Sequence, residues 1–201
     1  HAPRIGILLC INGAGIQYSS TKHQIALDPL SYPEMEQQAA AVPPGSGGLR
    51  ILPFGNGAER MLGNRNIGSQ INNLHFNRHT RAHFYRAALE GIAFSFVYGM
   101  DILKSMGLNV RVIRVGNDNL FQSKIFSNTI SDLVGSRIEM VETTGAVGAA
   151  KASGVAMGIY DSVEEAMQNT KILLTYEPMK TNDALESAYQ DWHQDLEKAI
   201  S

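Results

Sequence analysis

The feature that most constrains the fold of this chain is a long amphipathic stretch at residues 80–106. Its large apolar side chains recur every three or four positions, which predicts one continuous helix with one apolar face. Lys104 lies in the last turn, Gly107 supplies the stop, and Leu108 is placed to close the apolar contact at the end. At about 1.5 Å per residue the helix is roughly 40 Å long, enough to cross a whole sheet. The apolar positions are Tyr85, Leu89, Ile92, Phe96, Met100, Leu103 and Met106.

The bulk composition is that of a globular protein. The 201 residues can bury a substantial core, and 44% hydrophobic with 18% charged residues is ordinary for this class. A net charge of −2 gives no reason to expect nucleic acid or an anionic membrane as a partner. No apolar run reaches the roughly 18 residues of a membrane span, and the start lacks the features of a signal peptide. We therefore expect a cytoplasmic protein.

The beginning of the chain predicts a strand and a hairpin. Residues 4–10 are an apolar run typical of a buried strand, which makes Cys10, the single cysteine, a small core residue. Residues 12–15 are a turn signal, and residues 16–19 return as the hairpin partner. The chain starts with His1 rather than methionine, which favours excision from a longer protein.

The rest of the chain alternates helices and strands. Residues 31–42 predict a helix with Ser31 as N-cap, Glu34 at capping-box spacing and Pro33 in the first turn. Residues 49–54 predict a strand, and the polar loop after it is too long for a plain hairpin, so we expect it to line a site. This order favours an α/β fold, a mixed sheet with helices on both faces. The other predicted strands are 110–115, 137–141 and 172–176, and the other helices are 120–134, 145–160, 162–170 and 181–200.

Glycine marks two further features. The helix at 145–160 is rich in Gly and Ala, and because glycine weakens a helix, this predicts a close approach to another backbone or a ligand. Gly/Asn-rich turns at 12–15, 55–57 and 116–119 each follow a predicted strand, and turns of this kind can hold phosphates. At one edge of a sheet they would form a cleft. There is no Walker A pattern and no GxGxxG.

Two runs resemble the second signature of the FGGY carbohydrate kinases. They are SQINNL at 69–74 and, after eight residues, HFYRAALE at 83–90; the match fails only where Asn73 replaces a glycine. The segments ILPFGNGAER, RVGNDNLFQSKIFSNTISDLVG and TTGAVGAAKASGVAMGIY resemble further parts of that family. The similarity covers about residues 4–160, and within the family the xylulose kinases look most similar.

The resemblance implies an actin-like ATPase (ribonuclease H-like) fold. It makes the 201 residues a single domain, the C-terminal nucleotide-binding domain, without the N-terminal domain that binds the sugar and carries the catalytic base. It implies ATP and Mg²⁺ as cofactors and transfer of the ATP γ-phosphate to a ketose hydroxyl, D-xylulose giving D-xylulose 5-phosphate. Because the base lies in the other domain, no catalytic residue is assigned here and the chain is expected to be inactive alone.

By position, the resemblance brings three groups of residues to the nucleotide. They are Asn12, Gly13 and Ala14 at the ATP phosphates, Arg78 with His79 and Arg81 beside the nucleotide, and Gly116, Asn117, Asp118 and Asn119 at adenosine and phosphate. Two departures from the family pattern bear on the affinity for the nucleotide and on the pose in which it would bind. Gly13 or Ala14 stands where the family commonly has a hydroxyl residue, and GNDN replaces a double- or triple-glycine turn.

Other interpretations stay open. Arg78 and Arg81 also suit a solvated helix start, and His79 and His83 have a metal-compatible spacing but no third ligand, so no metal site is predicted. Asp118 is an alternative catalytic base. The chain also suits a non-enzymatic actin-like nucleotide-binding or interaction module, or part of a kinase for glycerol or another polyol. Apolar surface left by a missing domain would favour a homodimer.

Overall fold

The computed structural model describes residues 6–26, 30–168, 170–179 and 183–201. The chain divides into two compact units: the first is His1–Asn109 with Thr181–Ser201, and the second is Val110–Lys180. Each unit is described by itself, and the single-domain organisation stays a prediction. The helices and strands are α1 (Ala14–Ile25), α2 (Tyr32–Ala40), β1 (Arg50–Phe54), β2 (Gly68–Asn72), α3 (Arg81–Ser105), β3 (Val112–Gly116), α4 (Lys124–Val134), β4 (Arg137–Val141), α5 (Gly145–Ala156), α6 (Val163–Gln168), β5 (Ile172–Tyr176) and α7 (Asp183–Ile200).

The long helix α3 confirms the first prediction and dominates the first unit. Gly107 adopts a positive φ of 83°, and the N–H groups of Gly107 and Leu108 donate to the carbonyls of Lys104 and Leu103. This pair of bonds is a Schellman motif, and it ends the helix where the sequence predicts. The first half of α3 is buried on several sides rather than along one stripe, whereas Met106 is exposed.

Helix α3 packs against β1 through a glycine. A Cβ on Gly91 would lie 2.2 Å from the carbonyl oxygen of Ile51, so only glycine allows this approach. The same carbonyl oxygen accepts the indole N–H of Trp192 of α7 at 2.8 Å, and Trp192 is fully buried. Trp192 is therefore part of the core of the first unit.

Helix α2 follows its sequence signals closely. Ser31 is the N-cap, its hydroxyl accepts the Glu34 N–H, and the Glu34 carboxylate accepts the Ser31 N–H at 2.7 Å. Pro33 lies in the first turn. The capping box therefore sets the start of this helix.

The predicted strand and hairpin at the beginning of the chain are wrong. Residues 6–10 form no strand and Cys10 is exposed, and among the described residues β1 pairs only with β2, so no segment from the beginning of the chain joins this sheet. The predicted turn is the start of helix α1, which includes residues 16–19. Its buried positions Ala14, Tyr18 and Thr21 have helical spacing, so the segment buries side chains best as a helix.

Strand β2 was not predicted. It pairs antiparallel with β1, from Phe54 opposite Gly68 to Arg50 opposite Asn72. The polar loop between them is thus the long connection of a hairpin. The sequence signal for this strand is weak because its large apolar side chain, Ile71, is exposed. Ser69, two residues earlier, donates its hydroxyl to Leu52 O at 2.9 Å.

The second unit holds a mixed three-stranded sheet in the order β3-β4-β5, with β3 and β4 parallel and β5 antiparallel to β4. This confirms the predicted mixed sheet. Arg114 and Arg137 both contact the Glu139 carboxylate at 2.9 Å, and the hydrogen bond from Arg114 is the main cause that lowers the pKa of Glu139.

Helices α4 and α5 are shorter than the helices predicted at 120–134 and 145–160. Residues 120–122 form a separate 3₁₀ turn, because Ser123 is extended and its hydroxyl caps α4 by accepting the Phe126 N–H at 3.1 Å. Helix α5 ends at Ala156, since Gly158 takes a positive φ of 73°. The expected close backbone approach along α5 is absent among the described residues: Gly145 and Gly148 face open space, and Gly154 meets the Tyr160 ring.

Candidate functional site

The start of α1 is bound by a carboxylate of the chain itself. The backbone N–H groups of Asn12 and Gly13 each donate to an oxygen of Glu59 at 3.1 Å. Glu59 lies in the loop between β1 and β2 and is 0% exposed. A negative charge is favoured at a helix N-terminus, so this buried carboxylate is stabilised where it lies.

The same loop makes further hydrogen bonds to this turn. The side chain of Asn12 donates to Ala58 O at 3.0 Å, and the side chain of Asn56 donates back to Asn12 O at 3.0 Å. Gly13 is required here, because a Cβ on it would lie 1.6 Å from Pro53 O. The turns at 12–15 and 55–57 thus contact each other through hydrogen bonds, and the predicted cleft of all three glycine-rich turns stays a prediction.

This arrangement leaves the predicted phosphate-facing turn without free backbone N–H donors at Asn12 and Gly13. The N–H groups of Asn12 and Gly13 are already satisfied by Glu59, and the N–H of Ala14 donates to Ile11 O at 3.4 Å. A phosphate could take the first two groups only by displacing a buried carboxylate. The role of Asn12, Gly13 and Ala14 at the phosphates stays a prediction. Sequence reasoning missed Glu59 because its partners lie 46 and 47 residues away.

Arg78 lies at the surface beside the start of α3. Its Nη1 donates to Gly47 O at 3.5 Å, and its guanidinium is otherwise exposed. The neighbouring His79 is buried: its Nδ1 accepts the His75 N–H at 3.0 Å, so its Nε2 carries the proton and donates to Gly47 O at 3.1 Å. Arg78 and His79 therefore lie against the glycine-rich loop at 45–48.

Two residues of the signature itself, Arg86 and Glu90, form a buried ion pair at 2.7 Å. The Glu90 carboxylate also accepts the Gly45 N–H at 3.0 Å and the Ser46 hydroxyl at 2.7 Å, and Arg86 donates to Val42 O at 2.8 Å. These contacts hold the glycine-rich loop at 45–48 and the segment before it on their buried side. The signature's charged residues thus position backbone in this chain rather than facing solvent.

The third predicted group lies in the second unit, at the carboxyl edge of the two parallel strands. Gly116 ends β3 opposite Val141, which ends β4. A Cβ on Gly116 would lie 2.9 Å from Thr143 O and 3.1 Å from the Asp118 carboxylate, so glycine allows the turn to pack closely against the segment after β4. Thr144 caps α5 beside it, since its hydroxyl accepts the Val147 N–H.

The turn after β3 is held by its own side chains. Asn119 Oδ1 accepts the Phe121 N–H at 3.0 Å, and the Gln122 amide donates to Asn117 O. Asp118 is exposed. The turn thus presents the backbone of Gly116 and the side chains of Asn117 and Asp118 at the strand edge.

The metal alternative gains no support from the described residues. No group of three or more His, Cys, Asp or Glu residues in that part of the chain could hold a metal ion. His83 Nδ1 accepts the Thr80 N–H at 3.2 Å, which caps α3. Burial, with a smaller contribution from His79, lowers the pKa of His83. Within the described ranges, no helix is both long and apolar enough to cross a bilayer.

Comparison with known proteins identifies the family. The FGGY family of carbohydrate kinases, C-terminal domain, matches residues 10–157. The L-xylulose/3-keto-L-gulonate kinase of Escherichia coli (strain K12) is 31% identical over 147 residues, which cover 71% of this chain and 28% of that protein. Glycerol kinase 1 of Clostridium tetani (strain Massachusetts / E88) is 29% identical over 200 residues, covering 95% of this chain and 38% of that protein.

Solved structures agree on the fold. A xylulose kinase from Rhodospirillum rubrum superposes with a TM-score of 0.77 at 20% identity, covering 92% of this chain and 38% of that chain. A Plasmodium falciparum glycerol kinase with ADP superposes with a TM-score of 0.74 at 21% identity, covering 94% of this chain and 37% of that chain. These likenesses confirm the predicted α/β class and the actin-like ATPase fold of the FGGY kinases. The chain spans well under half the length of these relatives, and it belongs to the FGGY family of carbohydrate kinases, matching their C-terminal domain.

Proposed function

We propose that this chain is the nucleotide-binding part of an ATP-dependent carbohydrate kinase, and that the carboxyl edge of β3 and β4 receives the nucleotide. The observation that carries the proposal is the position of Gly116 at the end of β3, opposite Val141 at the end of β4 and next to the start of α5 that Thr144 caps. Ligands of open α/β sheets bind at the carboxyl ends of the strands, where loops and helix starts converge.

The residues at this edge fit the nucleoside better than the phosphates. Asp118 places a carboxylate beside Gly116, and a carboxylate accepts hydrogen bonds from ribose hydroxyls but repels phosphate oxygens. The Asn117 amide can donate and accept at a purine edge. We therefore assign Gly116, Asn117 and Asn119 to the adenosine end of ATP, with Asn119 shaping the turn through its cap.

The phosphates would then extend away from Asp118. Bound ATP supplies the transferable phosphoryl group, and Mg²⁺ neutralises the charge on its phosphates. Arg78 lies in the first unit, where its exposed cation beside the loop at 45–48 is a separate candidate for an anionic group. The base that deprotonates the sugar hydroxyl is expected in the part of the kinase outside this chain.

For the acceptor we infer a ketose, with D-xylulose as the substrate and D-xylulose 5-phosphate as the product. The names of the relatives support this inference, since an L-xylulose kinase and a xylulose kinase are among them. Glycerol kinases match as well, one of them over 95% of this chain, and this favours glycerol as the second candidate. A full-length kinase that contains this chain as its C-terminal domain, assayed with D-xylulose, L-xylulose and glycerol, should prefer D-xylulose. A preference for glycerol would make glycerol the proposed substrate instead.

Calorimetric titration of the 201-residue chain with Mg·ADP and with adenosine tests the nucleotide site. We expect both to bind, and Asn117→Ala to weaken each by roughly fivefold to thirtyfold, because one or two hydrogen bonds are lost. Asn128→Ala, a half-buried asparagine of α4 in the same unit, serves as the matched control and should change neither affinity.

Asp118→Asn tests the orientation of the nucleotide. If Asp118 accepts a ribose hydroxyl, the variant weakens adenosine and Mg·ADP alike. Tighter Mg·ADP with unchanged adenosine would place phosphate at this turn instead. If neither Asn117→Ala nor Asp118→Asn changes the affinity for Mg·ADP, the nucleotide does not bind at this strand edge.

A further inference from the structure

Strand β5 leaves one edge of the second unit's sheet open. It pairs with β4 alone among the described residues and is the last strand of the order β3-β4-β5. Three consecutive side chains, Ile172, Leu173 and Leu174, are 48%, 41% and 42% exposed. An edge strand carries unpaired backbone N–H and C=O groups, and an apolar one is a template for another strand.

This edge lacks most of the devices that usually block strand addition. The five residues of β5 include no proline and no charged side chain. One irregularity is present, a shift in the register with β4 between Met140 and Val141. The charges lie just outside the strand, with Lys171 before it and Glu177 after it.

The geometry of self-pairing limits the registers that two copies of β5 can adopt. Directly opposite residues of an antiparallel pair point their side chains to the same face, whereas successive residues alternate. A strand paired with its own copy across a two-fold axis must therefore be centred on a residue, not between two residues. In β5 the middle residue is Leu174.

Centring on Leu174 matches opposite charges. Residue 171 of one copy then lies opposite residue 177 of the other, so Lys171 faces Glu177, and the two-fold axis repeats the pair. Centring on Leu173 would place Lys171 opposite Thr175, and centring on Thr175 would place Glu177 opposite Leu173. Both charged side chains are exposed, and neither has an ion pair with another described residue.

We propose that β5 is a homodimerisation strand: two copies pair antiparallel about Leu174, with Lys171 of each copy opposite Glu177 of the other. The pairing joins the two three-stranded sheets into one and covers the apolar edge. It is independent of the nucleotide site, because it uses the opposite edge strand from β3. Isologous two-fold contacts of this kind are the commonest form of self-association.

Sedimentation velocity of the 201-residue chain over a range of concentrations tests the proposal with charge exchange. We expect a monomer–dimer equilibrium in which Lys171→Glu and Glu177→Lys each weaken the dimer at least about tenfold, because each creates two like-charge pairs. The double variant Lys171→Glu/Glu177→Lys exchanges the charges and should return the dimer constant to near the original value. Added salt should reduce the effect of the single variants.

The control is Lys104→Glu, which makes the same charge change on an exposed residue of α3 in the first unit and should leave the dimer unchanged. Circular dichroism of each variant confirms that the fold is kept. The proposal is overturned if the chain stays monomeric at every concentration or if neither single variant changes the dimer constant. It is also overturned if the double variant dimerises as weakly as the single variants.

Discussion

At the scale of single residues, the decisive group is a carboxylate that no signature includes. Glu59 is fully buried and takes both N–H groups at the start of α1, so it substitutes within the chain for an external anion. Burying a charge is costly unless hydrogen bonds satisfy it, and here two backbone donors and a helix N-terminus do so. Glu59 therefore holds the loop between β1 and β2 against α1.

We expect Glu59→Gln to lower the free energy of unfolding by about 1–3 kcal/mol, because the amide loses the charge and its NH₂ group meets a backbone donor. Urea unfolding followed by circular dichroism measures the change. Glu142→Gln, an exposed position in the second unit, is the matched control and should change the free energy by less than about 0.5 kcal/mol. Equal effects of the two substitutions would contradict the structural role of Glu59.

At the scale of elements, the same residue type has opposite roles in two helices. Gly91 in α3 lets the helix approach β1 so closely that a Cβ would lie 2.2 Å from Ile51 O. Gly148 in α5 has open space where its Cβ would be. Gly91 therefore allows a close helix–strand contact, whereas a Cβ on Gly148 would meet no described atom outside its own helix backbone within 4 Å.

Alanine at these two positions should therefore change stability with opposite sign. Gly91→Ala should destabilise by about 1–3 kcal/mol, because the added methyl group forces the helix away from β1. Gly148→Ala should stabilise α5 by up to about 1 kcal/mol through helix propensity alone. Thermal and urea unfolding of both variants measures the difference, and destabilisation by Gly148→Ala would show that α5 needs a close contact there.

At the scale of the whole molecule, the chain is part of the machinery its family uses. It matches the C-terminal domain of the FGGY kinases and spans 28% and 38% of two curated relatives. The described residues include the signature, the strand edge of the second unit and the Glu59 contact. The charged side chains of the signature, Arg86 and Glu90, bind each other and the backbone of a neighbouring loop. The cytoplasmic location stays a prediction.

We expect the 201-residue chain to show no sugar-dependent ATP turnover, since no residue in it has been assigned as the base. A coupled assay with Mg·ATP and D-xylulose measures this, with the longer kinase as the positive control. Turnover that rises with D-xylulose and disappears in Asp118→Asn would make Asp118 the base and overturn the assignment of the base to the other domain.

Much of the fold could be predicted because its signals are local. The capping box of α2 and the glycine stop of α3 specify their ends through residues a few positions apart, and β4 and β5 have the predicted bounds. The failures share a cause. Residues 6–10 are apolar enough for a strand but have no partner among the described residues, and β2 forms although Ile71 faces solvent.

The candidate site divides in the same way. The sequence by itself determined the family, the long helix and the glycine turn after β3, because side-chain spacing and backbone freedom are written in neighbouring residues. Only the tertiary structure decided that Glu59 occupies the start of α1, that Arg86 and Glu90 face a loop, and that Gly91 touches β1. Those contacts join residues some 40 or more positions apart, and a buried charge or a missing Cβ acquires its meaning only from the atom that folding places beside it.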